Sequence, residues 1–279
     1  MGILAVLTIA GCGVSRDKKK EEVTKAPVEN ITKAPEEEIN PTEPAEITKP
    51  VQDEEEIPYK LSVIFQEETE EAREDDVVYF QSAVYYPVFE GNYAENMNRF
   101  VMSLVEEFRE ILPDAKESAK FDYEESKLYE FGGAIFPEAE ELTVSCVWSR
   151  EQITVLKAES NSNTGGAHPN MVYKTYVVDV TDGYKETFES MIEPYGLTTD
   201  EVVDFAVAGF REEHGEALFE TADTDALKTR VDMFTRTNQW YFNENGLVLF
   251  ANPYDIAAYA YGVLECEISY EELEQGLKK

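Results

Sequence analysis

The sequence predicts an α+β fold, with antiparallel meander sheet packed on two main helices. Three observations predict it. Helical and strand-like periodicities are mixed along the chain instead of alternating as βαβ units. The strands come as hairpins, closed near Glu151, at Asp182-Gly183 and at Asn243-Glu244-Asn245-Gly246. Two stretches repeat apolar residues at helical spacing. The chain has 279 residues, 43% of them hydrophobic, which is enough for a sizeable core.

In chain order, residues 1–12 read as a lipoprotein signal peptide. Ile3 to Gly11 is apolar, too short to span a bilayer, and resembles the h-region of a secretory signal. Ile9-Ala10-Gly11-Cys12 matches a bacterial lipobox, in which small residues precede a cysteine that takes a lipid chain. Lipidation is therefore expected at Cys12, with the chain anchored to the cell membrane on its extracytoplasmic face. Residues 13–58 are rich in Lys, Glu, Pro, Thr and Ala, with prolines at 27, 35, 41, 44, 50 and 58. Low hydrophobicity and high charge cannot offset ordering entropy, so this segment reads as a disordered acidic spacer.

The globular part follows, in an N-terminal half at residues 59–192 and a C-terminal half at 193–279. Tyr59 to Gln66 alternates as a strand, and Val77 to Phe89 is rich in β-branched and aromatic residues. Met97, Phe100, Val101, Leu104, Val105, Phe108, Ile111 and Leu112 recur at helical spacing, and Pro113 should end or restart that helix. Leu142–Arg150, Gln152–Ser160 and Met171–Val180 read as a meander. Leu142, Val144, Cys146 and Trp148 alternate on one face of the first of these strands. Phe188, Met191 and Ile192 form a short apolar patch. Thr198 with Glu201 makes a capping box before a second helix lined by Val202, Val203, Phe205, Ala206 and Phe210. A short helix is expected over Thr224–Phe234 and a hairpin over Trp240–Phe242 and Leu247–Phe250. A strand is expected over Ala258–Ile268, and a closing helix over Tyr270–Leu277. With so few strands, the C-terminal half is expected to share its partner's sheet.

The net charge is −34, and roughly 28 of those negative charges fall after the spacer. Such a domain repels nucleic acid and anionic polymers and attracts a basic partner. Cys146 and Cys266 each lie in an alternating strand and point inward as buried thiols, without the spacing of a zinc site.

Two segments carry a family signature. One is Gly165-Gly166-Ala167-His168-Pro169-Asn170 with the strand and turn that follow. The other runs from Trp240 to Leu277 and contains Asn252-Pro253-Tyr254, Ile256-Ala257 and Tyr259-Ala260. Together they resemble the extracellular domain of unknown function shared by the lysozyme-binding anti-sigma factor RsiV and the N-terminal module of some peptidoglycan deacetylases. The resemblance implies an exported recognition module. It departs from the anti-sigma pattern, because no sigma-binding segment or transmembrane helix is read here. It also departs from the deacetylase pattern, because His168 and His214 are the chain's only histidines. Ala258 stands where the family often has proline.

The residues themselves say what the loops offer. Gly165 and Gly166 allow positive φ or a close backbone approach. His168 can bond a neighbouring backbone group through one ring nitrogen while its ring packs. Pro169 extends His168, and Asn170 can cap a turn. Pro253 presets the second position of a turn that Asn252 starts. Tyr254 reads equally as core or as a surface anchor, and Ile256 and Tyr259 read as core. No oriented nucleophile–base–acid set accompanies His168, and one histidine with amides is a poor metal set. No catalytic residue, metal or cofactor is therefore expected. The expected function is a surface-anchored binding module for a cationic lysozyme-like muramidase. Its contacts would be Asn163, Gly165, Gly166, His168, Pro169, Asn170, Pro253 and Tyr254. The competing readings are a wall-associated module that binds peptidoglycan or another exported protein, and a cell-wall hydrolase.

Overall fold

The computed structural model describes residues 61–74, 76–129, 137–219 and 224–277. Cys12, the signal-like segment, the spacer at 13–58 and the start of the first predicted strand lie outside the described residues. The fold is α+β. Strands β1 (Leu61–Glu74) and β2 (Val77–Gly91) form a long hairpin, followed by helix α1 (Ala94–Tyr129). Strands β3 (Glu138–Arg150), β4 (Ile153–Asn163), β5 (Asn170–Asp179) and β6 (Tyr184–Lys185) complete a six-stranded sheet in sequential order.

Its strands are antiparallel except at one place. Strands β2 and β3 run parallel, with Phe80–Tyr85 alongside Glu138–Thr143. The reason is the 36-residue helix α1, about 54 Å long at 1.5 Å per residue. It carries the chain back along the whole hairpin, so β3 enters at the end where β2 began. Pro113 neither ends nor restarts α1 but lies inside it. The lost hydrogen bond to the Arg109 carbonyl, a cost of about 3 kcal/mol, is offset by packing beyond the proline. There Ala119 and Tyr123 join Ala72, Tyr79 and Phe80 in an apolar cluster, with Tyr79 stacked on Tyr123.

The first half of α1 buries Met97, Val101, Val105 and Phe108 against Val84, Leu142, Val144, Leu156 and Val178 on one face of the sheet. The opposite face, through Val155 and Val177, belongs to a different core. Strands β4 and β5 are thus covered on both sides, which is why Thr154–Leu156 and Thr175–Val178 are buried without alternation. Trp148 does not share a face with Cys146. The register skips a residue between them, so Cys146 pairs with Leu156 and Trp148 with Val155. This bulge turns Trp148 onto the second core.

The second core is built by helices α2 (Phe188–Ile192), α3 (Thr199–His214) and α4 (Thr224–Arg236), and strands β7 (Trp240–Phe242), β8 (Gly246–Ala251) and β9 (Leu264–Ser269). Helix α5 (Tyr270–Glu274) closes the described chain. Thr198 and Glu201 form the capping box of α3. The C-terminal strands make their own three-stranded sheet, β7-β8-β9, and do not extend the larger one. Every residue of β8 is buried, which an edge position on a shared sheet would not allow. The predicted strand from Ala258 begins only at Leu264, because a 3₁₀ turn at Tyr259–Tyr261 and Gly262 with φ 68° break the extended run. No disulfide joins Cys146 and Cys266. Cys266 sits where a side chain on Gly209 would come within 2.5 Å of its sulfur, so α3 and β9 approach closely there. Among the described residues no helix is long and apolar enough to cross a membrane.

Candidate functional site

The β4–β5 loop and the turn after β8 meet at one end of the two sheets. Asn252 makes the junction. Its side chain is buried and takes the place of a neighbouring strand for Tyr173, accepting from the Tyr173 N–H at 2.7 Å and donating to the Tyr173 carbonyl at 3.0 Å. The turn is also locked from below. Asp255 accepts from the Asn252 N–H at 2.8 Å and from the buried amide of Gln239 at 2.6 Å.

Asn252-Pro253-Tyr254-Asp255 closes with the Asp255 N–H on the Asn252 carbonyl at 3.0 Å. With proline second and φ of 74° at Tyr254, this is the pattern of a type II turn, whose third position favours glycine. A tyrosine there bears strain of about 1 kcal/mol. The side chain is 55% exposed, so Tyr254 is a surface group and not core.

His168 fixes it from the other loop. Its ring stacks on Tyr259, with centroids 3.6 Å apart and planes 12° from parallel, and its Nε2 lies 3.0 Å from the Tyr254 hydroxyl. Nδ1 lies 3.2 Å from the Pro169 carbonyl, which can only accept. In the neutral ring Nδ1 therefore carries the hydrogen, and Nε2 accepts from the Tyr254 O–H. Tyr259 is a half-buried shelf beneath the imidazole, its hydroxyl on the Met171 sulfur at 3.4 Å. Beside it, Lys157 lies 4.3 Å from the Tyr173 ring centre. Burial, then the Glu159 carboxylate, raise the Tyr173 hydroxyl above its ordinary pKa.

The other expected residues are placed unevenly. Gly165 has φ of 77° and its N–H is accepted by the Asn163 side chain at 3.2 Å, so both shape the loop. Gly166 has neither positive φ nor a close neighbour; an added side chain would meet only the His168 carbonyl at 3.8 Å. Asn170 is exposed and begins β5 opposite Ser162. His214 stands apart, bonded to the Glu265 carbonyl at 2.8 Å. Sequence reasoning missed Asn252 as the clamp and Tyr259 as the shelf. Both lie in the quoted string after β8, but nothing local marks their contacts with β5 and the β4–β5 loop. Among the described residues no group of three or more His, Cys, Asp or Glu side chains is placed to hold a metal ion.

The fold and this corner define an acidic α+β domain that presents an ordered histidine–tyrosine cluster. Residues 181–271 match the model of a family described as "Protein of unknown function (DUF3298)". That match takes in most of the second signature segment and begins beyond the β4–β5 loop. A member of the DUF3298 family from Bacteroides fragilis NCTC 9343 has a similar structure, with a TM-score of 0.54 at 16% identity over 79% of this chain and 94% of that one. A DUF3298 family protein from Pseudomonas aeruginosa PAO1 gives a TM-score of 0.45 at 15% identity over 78% of this chain and 94% of its own. No curated protein matches the sequence. The shared fold with the Bacteroides protein covers both halves of the described chain. The resemblance read from the sequence is thus met at the level of a domain of unknown function.

Proposed function

We propose that this chain is a binding module of the bacterial cell surface, lipid-anchored through Cys12, that recognises a cationic lysozyme-like muramidase and has no chemistry of its own. It would act as a sensor, decoy or inhibitor. One observation carries the reading: Tyr254 is held outward in a backbone conformation that tyrosine disfavours, by His168, Tyr259 and the Asn252 clamp. Strain of this kind persists where the surroundings over-determine it, and such sites cluster where a group must be presented. An exposed tyrosine that is already ordered loses little entropy on binding. The sign of the partner follows from the 58 acidic against 24 basic residues, which speed the arrival of a basic protein.

Calorimetry against hen-type lysozyme at about 50 and about 300 mM salt tests this. Saturable one-to-one binding is expected at both. Tyr254→Ala should weaken it about 30-fold, as for an interface anchor. Tyr254→Gly should lose binding equally while raising stability by up to about 1 kcal/mol, because glycine accepts the positive φ. Binding that vanishes at the higher salt would reduce the reading to charge alone. Absence of binding with retention on purified wall would replace it with a wall-associated module. Turnover of wall fragments would make the protein a hydrolase.

A further inference from the structure

A second site lies between the β1–β2 hairpin and the middle of α1, two strands across the sheet from where β4 enters the β4–β5 loop. The fully buried members of the two apolar clusters under α1 stop near Phe108 and resume at Ala119, with the partly buried Leu112 packing against both. On the sheet, the small Ser82 stands between Phe80 and Val84 and leaves a gap; above it the helix offers Leu112 and Pro113. The result is an open cavity of about 460 Å³, within the range that holds small molecules.

Its chemistry is mixed in a specific way. Arg109 pairs with Glu68 at 2.5 Å and Lys116 pairs with Glu70, and all four side chains line the cavity while remaining partly open to solvent. Glu68 and Glu70 are about 7 Å apart along one strand face, and Arg109 and Lys116 about 10 Å apart along the helix. The two ion pairs therefore flank Pro113 on either side. The floor is apolar at Val84 and Leu112 except for Ser82. That residue is 6% exposed, lines the cavity, and has no side-chain hydrogen bond to any other described residue. Its hydroxyl opens into the cavity, where a ligand atom can bond it in place of water.

We infer that this cavity binds a small zwitterion of the α-amino-acid class, with an apolar side chain against Val84, Leu112 and Pro113. A simple anion would have to displace Glu68 or Glu70 and leave a carboxylate unpaired, in a chain that is already strongly acidic. A simple cation would strand Arg109 or Lys116 in the same way. A zwitterion inserts into an ion pair and leaves every charge partnered. Its carboxylate meets Arg109 or Lys116 and accepts from the Ser82 hydroxyl. Its ammonium meets Glu68 or Glu70.

The test is calorimetry of the full chain with L-leucine, N-acetyl-leucine (anion only) and leucinamide (cation only), each up to about 10 mM. Saturable binding is expected for leucine, with the two blocked compounds at least about tenfold weaker. Ser82→Val, which fills the floor and removes the hydroxyl, should abolish leucine binding. Lys116→Gln, on the exposed rim, should weaken it with no more than a small drop in melting temperature, and so serves if Ser82→Val does not fold. The inference is overturned if leucine shows no saturable binding, if N-acetyl-leucine or leucinamide binds as well as leucine, or if folded Ser82→Val retains full affinity.

Discussion

Helix α1 meets the edge strand β1 largely through charged side chains, whereas α3 and α4 meet β8 and β9 through apolar ones. On the first interface Arg109–Glu68, Lys116–Glu70 and Lys127–Glu74 bridge helix to edge strand, each side chain a third to a half exposed. On the second, Val203, Ala206 and Phe210 pack with Leu249, Cys266 and Ile268 in one buried cluster. The difference follows from coverage. Strand β1 is a sheet edge, where water reaches the contact from the side and an apolar seam cannot stay dry. Exposed ion pairs there set orientation and register, and each contributes at most about 1 kcal/mol. Strand β8 is central in its sheet and every one of its residues is buried, so its side chains leave water completely. An ion-paired seam tolerates a cleft beneath it, and a close-packed layer does not.

Four measurements break or sharpen that contrast. The largest effect should come from Leu249→Ala in the middle of β8, where a fully buried side chain is removed. A loss of about 3–4 kcal/mol is expected in chemical denaturation, and a loss below about 1 kcal/mol would mean that the C-terminal layer is not the close-packed one. Next, Asn252→Ala strips both hydrogen bonds from the Tyr173 backbone and should cost about 2 kcal/mol. It should also loosen the corner, so proteolysis near Pro253 ought to accelerate; unchanged cleavage would argue against the clamp.

The third concerns Glu138 at the start of β3. Burial, then the Asp122 and Glu140 carboxylates, push it up from 4.5 to about 7. A carboxyl that keeps its proton in the folded chain and loses it in the unfolded one stabilises fully below about pH 4.5. That contribution is lost as pH rises from about 4.5 to about 7. Stability should therefore fall across this window. Glu138→Gln should flatten the fall and gain about 1 kcal/mol at about pH 8. Parallel slopes in parent and variant would remove Glu138 as the cause. The smallest effect belongs to Lys127→Met. Its bridge to Glu74 is exposed, so about 0.5 kcal/mol is expected, fading with salt. A loss approaching that of Leu249→Ala would erase the distinction between the two interfaces.

Much of this was legible in order of residues. The helical spacing of Met97 to Leu112 and the capping box at Thr198 gave two helices, and alternation gave the meander, because these signals act between near neighbours. Pro113 misled, because the helix-breaking preference of one residue yields to the packing of Ala119 and Tyr123 two turns on. Trp148 misled because a bulge carries no residue signature, yet reverses every later side chain of its strand. The separate C-terminal sheet could not be read from strand count alone. The candidate corner was half legible: Gly165 and Pro253 announce turns, but Gly166 has neither the positive φ nor the close neighbour its glycine suggested, and Tyr259 passed for core.

The sequence by itself determined the α+β class, the acidic surface and the two loops with unusual backbone needs, since composition and local periodicity suffice for each. Only the tertiary structure decided that the two loops meet. His168 and Tyr254 are 86 residues apart. They meet because the packing of β7 and β8 against β5 carries Asn252 to the Tyr173 backbone. A contact at that separation is fixed by the closure of the core between the sheets, and no short stretch of chain encodes it.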